Sequence, residues 1–102
     1  MYLIQLLLPI YDNQQRRFPK EFHNQVRDEL TERFGGLTAQ TRALATGLWK
    51  GETSKIVHED IVIYEVMVPN LDRDWWQDYR EKLEVRLQQE VLIIRATRFE
   101  QL

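Results

Sequence analysis

Three segments of this chain are apolar at nearly every position, and a strand that is greasy on both sides fits few architectures. Residues 2–8 read Tyr-Leu-Ile-Gln-Leu-Leu-Leu, residues 61–68 Ile-Val-Ile-Tyr-Glu-Val-Met-Val, and residues 91–96 Val-Leu-Ile-Ile-Arg-Ala. Successive strand residues point to opposite sides of a sheet. One face therefore takes Tyr2, Ile4, Leu6, Leu8, Val62, Tyr64, Val66, Val68, Leu92, Ile94 and Ala96. The other takes Leu3, Leu7, Ile61, Ile63, Met67, Val91 and Ile93. Burying each of these side chains is worth roughly 1.5–3 kcal/mol, so leaving the second set in water would be costly. Both faces need cover.

Between the strands lie two helical patterns. Pro19 suits a first helical turn, where its missing N–H costs nothing. Phe22, Val26, Leu30 and Phe34 then recur every fourth residue as one stripe, and Gly35-Gly36 tolerates the left-handed cap that ends a helix. A second helix is expected over about residues 72–89. Asp72 and Asp74 favour its N-terminal dipole, and Trp76, Tyr79, Leu83 and Leu87 form its inward stripe. Trp75 stands beside that stripe and could contribute to a rim or contact. The charges Arg80, Glu81, Lys82, Glu84 and Arg86 read as a solvated face.

The strands are expected over about residues 2–10, 37–50, 55–68 and 91–99, with a turn at 51–54 making the middle two a hairpin and Pro69-Asn70 stopping the third. The order β-α-β-β-α-β predicts a single α+β domain, the ferredoxin-like sandwich, with two helices on one face of an antiparallel sheet. Its expected strand order is 4-1-3-2, with strands one and three as parallel neighbours at the centre. The 102-residue length suits one domain.

Charge and composition narrow the function classes. The net charge is −2 and the isoelectric point about 5.7, so the chain as a whole lacks a basic nucleic-acid footprint. With no cysteine, thiolate catalysis and cysteine-ligated metals are excluded, and a cytoplasmic setting is the expected one. The apolar start is too short to span a bilayer and lacks a basic leader, so it reads as a buried strand and no membrane partner is expected.

The second face carries polar groups at its middle: Gln5, Glu65 and Arg95, on three adjacent strands of the expected order. Strands lie about 4.8 Å apart, which separates Glu65 from Arg95 by roughly 10 Å at the backbone with Gln5 able to bridge. In a dry interface a guanidinium, an amide and a carboxylate can satisfy one another. The trio is either a functional site or an ion pair that fixes register or dimer alignment. The least costly cover for this face is a second copy of the same sheet, packed through a two-fold axis.

Other candidates are local. Trp49 beside Ala43, Ala45 and Gly47 suggests an aromatic-walled cavity, or small residues that let a helix pack closely with Trp49 as a plug. His58 and Asp60 share a strand face and Glu59 does not; His23 has no ligand-like spacing, so no metal site is expected. Arg16 and Arg17 near Lys20 form the one compact basic cluster, read as a solvated loop to which acidic ligands could dock.

On the paired-sheet architecture and this face pattern, the whole chain resembles the dimeric α+β-barrel proteins, which include cofactor-independent monooxygenases of antibiotic biosynthesis, small isomerases and stress-related proteins. The stretch Gly47-Leu48-Trp49 with Val57-His58-Glu59 is also similar to small bacterial proteins of unknown function. The resemblance implies a homodimer paired through the sheet face. The expected function is binding of a small molecule without a dedicated cofactor, with Gln5, Trp49, His58, Tyr64, Glu65 and Arg95 as candidate pocket or interface residues. The alternatives are a cofactor-independent monooxygenase or isomerase, in which Trp49, His58, Tyr64 or Arg95 would orient substrate, and a purely structural interaction domain. RNA binding is disfavoured, because such a sheet presents stacking aromatics among basic residues.

Overall fold

The computed structural model describes residues 1–43 and 61–102. The outer part of the expected hairpin, including Trp49, His58, Ala45, Gly47 and the 51–54 turn, lies outside the described residues. Within them, β1 (Tyr2–Pro9), α1 (Lys20–Phe34), β2 (Ala39–Ala43), β3 (Ile61–Val68), α2 (Arg73–Arg86) and β4 (Ile93–Arg98) follow in the expected order. They build a ferredoxin-like sandwich with sheet order β2-β3-β1-β4, the expected sequence of strands read from the opposite edge.

One feature of the expected sheet is corrected. β1 and β3 are neighbours, but they run antiparallel, as do β1 with β4 and β2 with β3. The reason is topological. The α1 crossover makes β1 and β2 parallel, so β3, inserted between them and antiparallel to β2, must oppose both.

The helix side of the sheet forms the core. Ile4, Leu6, Leu8, Val62, Tyr64, Val66, Val68 and Leu92 pack with Val26 and Leu30 of α1 and Trp76, Tyr79, Leu83 and Leu87 at α2. Ala96 keeps its expected face, opposite Ile4, but is exposed on the edge strand.

Caps end both helices as the sequence suggests. Gly35 adopts φ 82°, and its N–H reaches the Thr31 carbonyl. Asp72 accepts a hydrogen bond from the Trp75 amide at 3.1 Å. The aromatic cluster between the helices stacks Phe34 on Trp76 and Trp75 on Tyr79, with the Arg33 guanidinium 4.5 Å from the Trp75 ring centre. Trp75 is thus a packing residue.

The helix charges are not all solvated, contrary to expectation. Arg86 forms two hydrogen bonds to Glu29 of α1, at 2.8 and 3.0 Å, and the Tyr79 hydroxyl donates to the same carboxylate at 2.8 Å. Glu84 accepts from the Leu92 amide at 2.9 Å, tying the end of α2 to the approach to β4.

Candidate functional site

The described candidates separate onto two sides of the sheet. On the side away from the helices, register places Gln5 opposite both Glu65 and Arg95, with Ala39 beside Glu65. Gln5 Nε2 donates to Glu65 Oε2 at 2.6 Å, and Arg95 Nε donates to Gln5 Oε1 at 2.7 Å. The expected trio is therefore one hydrogen-bonded row across three strands. It is not dry in a single chain: Glu65 and Gln5 are half-buried and Arg95 is exposed.

Around that row the apolar surface is smaller than the sequence suggests. Leu7 and Ile61 are buried within the chain, at 3% and 2% exposure. Val91 precedes β4 and is 67% exposed. That leaves Leu3, Ile63 and Ile93 half-buried and Met67 at 37% exposure as the open apolar part.

On the helix side, Tyr64 belongs to a cavity of about 250 Å³ between α1 and the sheet. Ile10, Phe18 and Val62 supply its apolar lining, and Asn24, Gln40 and the Tyr64 phenol add polar groups. Arg17, Lys20, Arg27 and Arg42 also line it, and no described lining residue is acidic. These cations come from three parts of the chain: the loop before α1, α1 itself, and β2.

The loop that carries Arg17 is ordered by its own carboxylate. Asp12 Oδ1 accepts from the Gln14 and Arg16 amides at 2.8 and 2.9 Å, while Oδ2 meets Arg16 Nε at 3.3 Å. The Arg16 amide, more than any other contact, holds the Asp12 carboxyl below its ordinary pKa. Tyr11 bridges to Arg17 and the Phe18 amide donates to the Ile10 carbonyl at 2.9 Å. The loop is exposed over residues 13–17, as expected for a solvated segment, and is closed into a hairpin-like turn that brings Arg17 and Phe18 to the cavity lining.

His23, which sequence spacing gave no role, also lines this cavity. Its Nε2 lies 2.8 Å from the Pro9 carbonyl. A carbonyl only accepts, so Nε2 carries the proton and, in the neutral ring, Nδ1 holds the lone pair. Burial pushes the His23 pKa below its ordinary value; the Pro9 bond opposes this, and the positive charges of Arg42 and Arg17 lower it further. The imidazole is therefore neutral at pH 7. Burial likewise raises the Tyr64 phenol above its ordinary range, against the pull of Arg27 and Arg42. Its hydroxyl donates weakly, at 3.4 Å, to the His23 carbonyl. A neutral imidazole can accept a proton, but among the described residues none forms a hydrogen-bonded nucleophile–base pair with it.

Among the described residues there is no cluster of three or more His, Cys, Asp or Glu side chains placed to hold a metal ion, and no helix is long and apolar enough to cross a membrane. No protein-family model, curated protein or solved structure matches this chain.

Proposed function

We propose that this domain binds a small molecule, without a dedicated cofactor, in the cavity between α1 and the sheet, and that it works as a homodimer paired through its second sheet face. The observation that carries the binding reading is the cavity itself. Ligand sites are concave and set polar groups around apolar surface; here Ile10, Phe18 and Val62 lie among mostly polar and charged lining residues, and 250 Å³ falls just below the usual range of such sites. Its walls come from a helix, a turn and two strands, so the polar groups are held by separate rigid parts of the fold.

Pairing by a second copy is favoured by the charge pattern of the other face. The Glu65–Gln5–Arg95 row is negative at one end and positive at the other. A two-fold axis through its middle would set each Arg95 over the partner's Glu65 end, which makes the row complementary to itself. Leu3, Ile63, Met67 and Ile93 flank the row and supply apolar area for the same contact.

A fragment screen followed by amide chemical shifts tests the binding reading. The shifts should gather at His23, Asn24, Gln40, Arg42, Val62 and Tyr64. Binders that move only amides elsewhere, or a library in which nothing moves these six, would refute it.

A further inference from the structure

We infer that the ligand of this cavity is a small organic anion, a carboxylate or phosphate group joined to a flat apolar body. This rests on the cavity being the binding site and adds the chemistry of what fills it. The chain has 16 acidic and 14 basic residues, yet four basic residues and no described acidic one line this cavity. Chance mixing on an acidic chain does not favour such a set.

The cations reach this one cavity from separate parts of the chain, the loop before α1, α1 itself and β2. Arg42 acts on both the His23 imidazole and the Tyr64 phenol, Arg17 on the first and Arg27 on the second. Among the described residues, only Arg27 of the four has a carboxylate within 4 Å, Asp28 at 3.8 Å, and that neighbour's side chain is 75% exposed. Like charges gathered about a low-dielectric floor repel one another, and a bound anion would relieve that repulsion. Three of the four are arginines, whose planar forks match carboxylate and phosphate oxygens in pairs. Beneath them, Phe18, Val62 and Ile10 offer a surface for a ring.

Calorimetric titration of the full chain with phenyl phosphate, benzoate, inorganic phosphate and benzyl alcohol tests the inference. Phenyl phosphate or benzoate should bind at least about tenfold more tightly than benzyl alcohol, the size expected for one charged hydrogen-bonded contact. Arg42→Gln and Arg27→Gln, both at exposed positions, should each weaken that binding by about tenfold, and Arg98→Gln on β4 should leave it unchanged. The His23 titration midpoint should rise when the anion is bound, and the affinity should fall with added salt. The ratio of phenyl phosphate to benzoate affinity then identifies the preferred head group.

Equal affinity for benzyl alcohol and benzoate would overturn the anion while leaving the cavity a small-molecule site. Equal affinity for inorganic phosphate and phenyl phosphate would overturn the apolar body. If no anion binds although neutral fragments do, the inference fails alone; if nothing of either kind binds, the cavity reading fails with it. A single-stranded oligouridylate that binds far more tightly than phenyl phosphate would replace the small ligand with a nucleic acid.

Discussion

His23 shows how much of a residue's chemistry is set by neighbours distant in sequence. Its ring is half-buried, its Nε2–H is committed to the Pro9 carbonyl, and Arg42 and Arg17 disfavour a further proton. A group whose folded pKa lies below its unfolded value stabilises the fold fully above the unfolded value, and loses that contribution as pH falls through the folded one. Stability should therefore decline as pH drops below about 6.5, the ordinary histidine value, and His23→Gln should flatten the part of that decline due to this ring. A His23 midpoint at or above 6.5, measured from its ring proton signals, would contradict the assigned environment. None of this was visible in the spacing of His23, because its partners lie in the 9–17 turn and on β2. By contrast, the Gln5–Glu65–Arg95 row was legible. Strict alternation assigns each residue to a face, and polar residues inside apolar runs mark themselves.

At the scale of elements, α1 and α2 are joined by more than their apolar stripes. Arg86 grips Glu29 with both ends of its guanidinium, and the Tyr79 hydroxyl completes the cluster. The Arg86 hydrogen bonds hold the Glu29 carboxyl below its usual pKa, chiefly against the cost of burial. Since a depressed carboxylate stabilises above its unfolded pKa, the cluster should act fully at neutral pH and fade as pH falls below about 4. Glu29→Gln should cost roughly 1 kcal/mol at pH 7, given the partial exposure of the pair. Chemical denaturation should show that loss shrinking toward pH 3, and a loss constant across that range would place the effect in packing. The stripes themselves were readable from the period of four, as was the order of elements. The polar link was not, because Glu29 and Arg86 are 57 residues apart and each sits on a face that reads as solvated. Strand direction is not legible, for a different reason. Adjacency and direction are separate properties, and only the crossover through α1 fixes the second.

For the whole molecule, one sheet serves two purposes. Its helix side builds the core and, where α1 leans over β2 and β3, the basic cavity. Its other side keeps Leu3, Ile63, Met67 and Ile93 open about a row of opposite charges. The alternation of apolar residues on both faces made the need for cover evident, but it overstated the area. Leu7 and Ile61 are already covered within the chain, and Val91 is outside the strand. What remains is a modest patch, and in the proposed pairing its specificity would come from the charged row. Arg95→Glu should therefore disrupt pairing by setting like charges against each other, and combining it with Glu65→Arg should restore it by reversing the row. The molar mass in solution, from light scattering at micromolar concentration, tests this directly. The wild type and the doubly reversed chain should give about twice the 12.4 kDa chain mass, and Arg95→Glu alone should shift toward the single mass. A wild type that scatters as one chain at every accessible concentration would contradict the pairing.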